Sequence, residues 1–138
     1  MNISIYTDGG ARGNPGHSGF GVVIYDESKK IIFQNSIYLG IRTNNEAEYA
    51  GLINALEWVQ NNKINFNISF INIFSDSQLL VRQINGLYKV KSPNLKPLFA
   101  RCQDLLNSIN LPYKFTDIRR EFNFLADQLA NKAMDLQK

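Results

Sequence analysis

The sequence predicts an α/β fold in which a five-stranded mixed sheet carries helices on both faces. Apolar and polar residues alternate in several short segments, which is typical of strands, and apolar residues recur at helical spacing in others. The predicted order of elements is β-β-β-α-β-α-α-β-α. Late strands that are separated by helices favour parallel pairing with the first strand, whereas the early strands favour a hairpin, and together they make the sheet mixed.

The strands are predicted from alternation and from short apolar runs that turn residues bound. They cover residues 2–8, 19–25, 31–39, 68–75 and 113–118. The segment 9–16 (GGARGNPG) is predicted to be a loop, because glycine and proline are frequent in turns. The polar residues 26–30 predict a turn, so the second and third strands are expected to form an antiparallel hairpin.

The helices are predicted from apolar residues at helical spacing. They cover residues 44–61, 77–86, 98–109 and 123–136. The first helix begins at a capping box, in which Thr43 and Glu46 each accept a hydrogen bond from the other's backbone amide. The segment 87–97 contains Pro93 and Pro97 and is predicted to be irregular.

Length and composition indicate an ordinary globular protein. The 138 residues are expected to form one domain, 1–138, since 44% are hydrophobic and 20% are charged. The net charge of +3 weakly favours a polyanionic partner. The one cysteine, Cys102, lies in an apolar helical pattern and is expected to be buried. The sequence shows no signal peptide and no apolar run of membrane length, so a cytoplasmic protein without membrane contact is expected.

Four acidic residues occupy positions at which α/β proteins build their sites. Asp8 ends the first strand and Asp76 follows the fourth, and sites in α/β sheets form outside the strand ends. Glu48 and Asp127 lie in the first turns of two helices, where a carboxylate also has a purely structural use beside the helix dipole. If the four converge, they repel each other unless cations lie between them, and oxygen ligands favour Mg²⁺ or Mn²⁺.

Glu48 is the better candidate of the two glutamates at the start of the first helix. Glu46 and Glu48 are separated by about 200° around the helix, so only one can face the site. Glu46 is already explained by the capping box with Thr43. Two metal ions about 4 Å apart can hold the attacking and leaving oxygens of a phosphodiester, and this chemistry needs no nucleophilic side chain. The chain shows no G-x-S-x-G motif, which agrees with that interpretation.

Four sequence blocks resemble those of the type 1 ribonuclease H family, in its short form without a basic protrusion. They are Y-T-D-G-G at 6–10 with G-N-P-G at 13–16, T-N-N-E-A-E at 43–48, S-D-S-Q at 75–78 and R-E-F-N-F-L-A-D at 120–127. One block alone is a moderate signal, whereas all four in order are highly specific. The resemblance implies a ribonuclease H-like fold.

The resemblance also implies an endoribonuclease that hydrolyses the RNA strand of an RNA–DNA hybrid and leaves 5′-phosphate and 3′-hydroxyl ends. Four catalytic acids would hold two Mg²⁺ ions, for which Mn²⁺ could substitute: Asp8, Glu48, Asp76 and Asp127. One ion would activate water and the other would stabilise the departing 3′ oxygen. Contacts with the substrate are implied for six polar residues: Asn14, Thr43, Asn44, Asn45, Gln78 and Asn123. Some of these contacts would reach minor-groove 2′-hydroxyls, which distinguish RNA from DNA.

Several features leave alternatives open. Asn123 could instead be the N-cap of the last helix. The loop histidine that some relatives carry before this helix is absent, and Glu121 is the nearest titratable substitute as an accessory residue. Residues 77–103 contain five basic residues and no acid, so this segment either follows a nucleic-acid backbone or is a solvated face.

Two other functions compete with hydrolysis of hybrids. A catalytically weak ribonuclease-H-like module could bind nucleic acid without cutting it, but binding alone would not need a repelling cluster of acids. A two-metal nuclease that acts on DNA is disfavoured by the T-N-N and S-D-S-Q blocks. Double-stranded RNA stays open as a further substrate, and a monomer is expected.

Overall fold

The computed structural model describes residues 1–136 and confirms the predicted order of strands and helices. The strands are β1 (Asn2–Gly13), β2 (Gly16–Tyr25), β3 (Ile31–Arg42), β4 (Phe70–Ser75) and β5 (Tyr113–Asp117). The helices are α1 (Asn44–Asn62), α2 (Gln78–Ile84), α3 (Lys96–Ile109) and α4 (Phe124–Asp135). A short 3₁₀ helix, Arg120–Phe122, precedes α4.

The five strands form one mixed sheet in the order β3-β2-β1-β4-β5. The pairs β1–β2 and β2–β3 are antiparallel, whereas β1–β4 and β4–β5 are parallel. The predicted hairpin and the predicted adjacency of the first and fourth strands are therefore confirmed. Thr7 of β1 pairs with Ser75 of β4, so the residues that follow them in the chain emerge side by side at one edge of the sheet.

Helices cover both faces of the sheet, and two neighbouring residues of β2 show how. Phe20 lies against Gly51 of α1, whereas a side chain at Gly21 would meet the backbone of α4. Successive residues of a strand point to opposite faces, so α1 and α4 lie on opposite sides. The main core lies on the α1 side, where Leu52 and Leu56 are fully buried.

The glycine-rich segment 9–16 is not the predicted loop. The ladder between β1 and β2 continues through it to the pair Gly13 and Gly16, so that only Asn14 and Pro15 lie in the turn. Its glycines also serve a second purpose, because a Cβ at Gly9 would overlap the backbone of α1. Composition alone does not distinguish a glycine in a turn from one that admits a close neighbour.

Two local predictions at helix starts have different outcomes. The capping box of α1 is confirmed, since the Thr43 amide donates to Glu46 Oε1 at 2.9 Å and the Glu46 amide donates to Thr43 Oγ1 at 3.2 Å. The irregular segment was predicted to run to residue 97, but α3 begins at Lys96. Pro97 lies in its first turn, where a missing amide hydrogen costs no helical hydrogen bond.

The interior contains few polar side chains, and one of them is paired across helices. The Tyr49 hydroxyl donates to Gln83 Oε1 at 2.7 Å, which joins α1 to α2. Cys102 on α3 is fully buried, as its position in an apolar pattern predicts. Within residues 1–136, no helix combines the length and the hydropathy that crossing a membrane requires.

Candidate active site

One cavity of about 720 Å³ opens where the parallel pairing of β1 with β4 ends, at Thr7 and Ser75, beside the starts of α1 and α4. All four acids that the sequence singled out line it: Asp8, Glu48, Asp76 and Asp127. We call it the acid-lined cavity. The topology explains the convergence, because Asp8 and Asp76 directly follow the last parallel pair of β1 and β4, and α1 and α4 begin beside them. Asp8 does not end its strand, as the sequence predicted, because β1 continues to Gly13 in its pairing with β2.

Three of the acids form a tight group. Asp8, Glu48 and Asp76 each offer a carboxylate oxygen, and these oxygens all lie within 4.8 Å of one another. Asp8 and Asp76 follow paired residues of adjacent strands. Glu48 reaches the group from α1, whose close approach to β1 depends on the missing side chain of Gly9. Glu46 is held in the capping box, so the structure brings the expected glutamate to the site.

Asp127 lines the same cavity, but it is not one of the three acids whose oxygens lie within 4.8 Å of one another. It lies on α4 and accepts a hydrogen bond from Arg120 Nη2 at 3.4 Å. Helix α4 can lie this close because Gly21 of β2 has no side chain against it. The four acids therefore come from two strands and two helices, and residues 119 positions apart in the chain meet in one cavity.

Crowding of the acids perturbs their protonation. Burial, followed by the charge of Asp76, raises the pKa of Asp8 to about 8. Burial, followed by the charge of Asp8, raises the pKa of Glu48. Burial also raises the pKa of Asp76, although its hydrogen bond with Asp8 and the charge of Arg120 oppose that rise. Burial and mutual repulsion therefore favour protonation within this group of carboxylates when no cation is bound.

The donor set fits a divalent cation. Glu48 Oε1 is buried and has no hydrogen-bond partner among the described residues, which leaves a costly unpaired acceptor beside two other carboxylates. A cation bound between these oxygens would satisfy the free acceptor and relieve the repulsion that raises the pKa of Asp8. Oxygen-only ligands of this kind suit Mg²⁺ or Mn²⁺.

Arg120, and not Glu121, is the titratable residue of the 3₁₀ helix that reaches the cavity. Arg120 lines it and pairs with Asp127, whereas Glu121 pairs with Arg119 at 3.5 Å, with 64% of its side chain exposed. Glu121 lies outside the lining of the cavity, and its accessory role stays a prediction. A 3₁₀ helix has three residues per turn, so neighbouring side chains point about 120° apart and only one of the two can face the acids.

The predicted substrate residues divide into those at the cavity and those that hold its rim. Asn44 and Gln78 both line the cavity. The Asn44 amide donates to Asn14 Oδ1 at 3.0 Å, and Asn44 Oδ1 accepts from the Ala11 amide at 2.7 Å. These two bonds fasten the β1–β2 hairpin to the start of α1. Asn45 is exposed outside the lining of the cavity.

Asn123 does not lie where a substrate contact needs it. Its side chain is 1% exposed, and Asn123 Nδ2 donates to the Thr7 carbonyl at 2.8 Å. It occupies the N-cap position of α4 but makes no side-chain capping bond. The predicted substrate contact is therefore replaced by a positioning contact, which fixes the start of α4 to β1 beside the acids.

The sequence interpretation missed one acid at the cavity. Asp117 ends β5, pairs with Ser75 of β4 and lines the cavity. The available signal was its place at the end of a strand expected to be parallel, which is the signal that pointed to Asp76. Asp117 is exposed and lies outside the tight group of three carboxylates.

Comparisons with known proteins agree with this geometry. Residues 6–133 match the family model described as "Reverse transcriptase-like". The chain is 36% identical over 137 residues to "Bifunctional protein Rv2228c" of Mycobacterium tuberculosis. This match covers 98% of the chain and 36% of that relative. The chain is also 35% identical over 150 residues to "Ribonuclease H" of Ruthia magnifica. That match covers 96% of the chain and 95% of the relative. The chain thus spans about a third of the length of the first curated relatives it matches.

A solved structure is similar over nearly the whole chain. The crystal structure of LC11-RNase H1 in complex with an RNA/DNA hybrid has a TM-score of 0.90 and 45% sequence identity, and the match covers 97% of each chain. LC11-RNase H1 was isolated from compost by a metagenomic approach. The similarity extends over every element that contributes an acid to the cavity.

Proposed function

Because the chain belongs to the type 1 ribonuclease H family, we propose that it is an endonuclease that hydrolyses the RNA strand of RNA–DNA hybrids. One observation carries the proposal. Asp8, Glu48 and Asp76 come from three different elements and place oxygens within 4.8 Å of one another, with Asp127 in the same cavity. The resemblance to LC11-RNase H1, whose structure contains an RNA/DNA hybrid, supports the substrate.

Two Mg²⁺ ions, with Mn²⁺ as a substitute, complete the proposed site. The four acids would hold them, since carboxylate oxygens are the ligands that such ions prefer and Glu48 Oε1 has no other partner. When bound, the ions would supply activation of a water molecule and stabilisation of the departing 3′ oxygen, and the products would carry 5′-phosphate and 3′-hydroxyl ends.

The chain's own residues supply orientation and charge. Asp8 must lose a proton to act as a ligand, and its pKa of about 8 makes that step dependent on pH. Arg120 offers an exposed guanidinium beside Asp127 that could also bind a phosphate oxygen. Asn44 and Gln78 present amide groups at the cavity, and these can hydrogen-bond minor-groove 2′-hydroxyls. We retain Asn14, Thr43 and Asn45 as proposed contacts at the rim.

A cleavage assay tests the proposal. A labelled RNA–DNA hybrid is incubated with the protein in Mg²⁺ or EDTA, alongside Asp8→Asn and a matched control, Asp104→Asn, which changes an exposed carboxylate on α3. We expect cleavage of the RNA strand in Mg²⁺ alone. Asp8→Asn should lower the rate by more than about 100-fold, since even outer partners of metal ligands are worth about 10- to 100-fold.

The outcomes separate the competing functions. Cleavage that persists in Asp8→Asn at the rate of Asp104→Asn would place the activity outside this cavity. Binding of the hybrid without cleavage in either Mg²⁺ or Mn²⁺ would favour the module that binds but does not cut. A double-stranded RNA of the same sequence, tested in parallel, measures how strictly the DNA strand is required.

A further inference from the structure

An aromatic patch lies beside the acid-lined cavity, at the N-terminal end of α4. It consists of Tyr6, Tyr25, Phe122 and Phe124. The Tyr6 ring contacts the Tyr25 ring edge to face at 5.6 Å, and it stacks on Phe74 of β4 at 4.9 Å. Phe122 is 68% exposed and Phe124 is 65% exposed. Grouped apolar side chains that are this exposed mark binding surfaces.

The aromatic patch lines a cavity of its own, of about 610 Å³. The aromatic rings form part of its wall, and small polar side chains, Asn2 and Ser4 of β1, form another part. A cavity of this volume is in the range that holds small organic ligands, so it can accommodate one or two nucleotides.

The two cavities are neighbours that share one segment of chain. Arg119, Arg120 and Asp127 line the acid-lined cavity, whereas residues 122–126 line the cavity of the aromatic patch. On β1, Tyr6 and Asp8 are two residues apart and therefore point to the same face of the sheet. A nucleic-acid strand that leaves the acids over the 3₁₀ helix would therefore meet the aromatic patch next.

The charges at the aromatic patch favour bases over phosphates. Asp26 and Glu27 line its cavity, and Lys29 is the one basic residue among the lining residues. Asp26 Oδ1 accepts hydrogen bonds from the Ser28 and Lys30 amides, and Glu27 accepts one from the Asn2 amide, so both carboxylates are fixed in place. Two carboxylates against one ammonium group repel a phosphate chain, but carboxylate oxygens can accept hydrogen bonds from the amino groups of bases.

We propose that the aromatic patch binds one or two unpaired nucleotides in a single-stranded extension of the hybrid, and that it holds them through their bases. Aromatic side chains stack on every base, because every base has a π-face. The rings flank a segment that leads directly from the acids, which places the unpaired bases next to the cleaved duplex. The inference rests on the proposed function, because it names the form of hybrid that the enzyme prefers.

Binding measurements in EDTA test the inference without cleavage. Hybrids with blunt ends are compared with hybrids that carry a three-nucleotide extension on either strand at either end, with 2-aminopurine in the extension as a stacking probe. The variant is the double substitution Phe122→Ala/Phe124→Ala. The matched control is Ile64→Ala, which removes a side chain that is 84% exposed and lies outside the patch.

One of the extensions should tighten the dissociation constant of the wild-type chain by about tenfold for each stacked base. The double variant should lose this gain and keep the affinity for the blunt hybrid, whereas Ile64→Ala should keep both. The gain should change little between 50 and 200 mM salt, because stacking releases few counterions while phosphate contacts release many. The 2-aminopurine fluorescence should change with the wild-type chain only where the extension tightens binding.

Other results would overturn the inference and separate it from the proposed function. If the blunt hybrid is cleaved in Mg²⁺ but none of the extensions tightens binding, the inference is overturned while the proposed function stands. A gain that survives in the double variant, or that falls steeply with salt, would locate the contact elsewhere. If no hybrid is cleaved, the aromatic patch is tested with a single-stranded oligonucleotide that contains 2-aminopurine. Fluorescence that does not change when the protein is added would refute binding of bases at the patch.

Discussion

Replacing Asp8 with asparagine should stabilise the metal-free protein at neutral pH. Asp8 is 7% exposed, and burial with the charge of Asp76 raises its pKa from the ordinary value of 3.8 to about 8. A carboxyl group whose pKa is higher in the folded state binds more protons when folded, so the free energy of unfolding falls as pH rises above the unfolded value. The loss begins near pH 4 and is complete above pH 8. Asparagine has nearly the same shape as aspartate but no charge, so the Asp8→Asn variant avoids this loss of stability.

The size of the effect follows from the interval between the two pKa values. Each pH unit corresponds to about 1.36 kcal/mol. At pH 7.5 the penalty on Asp8 reaches a ceiling of about 5 kcal/mol, and at pH 4.5 it is about 1 kcal/mol. An amide is a weaker donor toward Asp76 than a carboxylic acid, so we expect the variant to gain about half of the ceiling at pH 7.5.

Urea unfolding in EDTA at pH 4.5 and pH 7.5 measures this difference. The same measurements on Asp104→Asn supply the control, since that carboxylate is exposed on α3. A gain of equal size at both pH values, or a loss of stability in Asp8→Asn at pH 7.5, would refute the reasoning. Adding Mg²⁺ should narrow the gap, because a cation that binds the native wild-type protein stabilises it by mass action.

Three further substitutions test the surroundings of the acids. Arg120→Ala should lower the melting temperature of the metal-free protein at pH 8, whereas Arg120→Lys should largely preserve it, because a cation beside Asp127 offsets the repulsion among the acids. Scanning fluorimetry in EDTA measures this, and equal melting temperatures for the two variants would show that the charge does not matter. Asn123→Ala should cost about 1–3 kcal/mol in urea unfolding, since the buried Thr7 carbonyl loses its donor; a smaller cost would mean that water replaces the amide. Gly21→Ala should lower both stability and hybrid cleavage, because its Cβ would overlap the backbone of α4; an unchanged cleavage rate would show that α4 can move without loss.

Much of the fold could be predicted because its signals are local. The capping box of Thr43 and Glu46 depends on residues three apart, and it correctly places the start of α1. The same local geometry turns Glu48 toward the acids, since residues two apart on a helix face away from each other. The pairing of β1 with β4 follows from the general need of parallel strands for a crossover between them.

Predictions from glycine and proline were less successful, because these residues have more than one structural use. Glycines in segment 9–16 indicate freedom of the backbone, yet at Gly9 the deciding fact is a helix that lies directly above the strand. That helix begins about 35 residues later, so no local pattern announces it. Proline interrupts a helix when it lies in the helix interior, but it is tolerated in the first turn. The structure places Pro97 in the first turn of α3.

The roles of residues 120–123 depended on contacts that no local pattern contains. Asn123 matches a family block, yet its amide binds a carbonyl 116 residues away on β1. Arg120 and Glu121 are adjacent in the chain, and the short 3₁₀ helix decides which of them faces Asp127. Motif matching located the segment, whereas the direction of each side chain required the packed structure.

Close packing of the helices is what makes the acid cluster unfavourable in the absence of metal. Gly9 lets α1 approach β1, and Gly21 lets α4 approach β2, and the two approaches together bring Glu48 and Asp127 to Asp8. A larger residue at either glycine would move a helix outward and relieve the repulsion, but it would also separate the ligands. Neither glycine needs to touch a cation, yet both belong to the site. We therefore expect that the substitutions at Gly9 or Gly21 that relieve the repulsion most in the metal-free protein also weaken Mg²⁺ binding most.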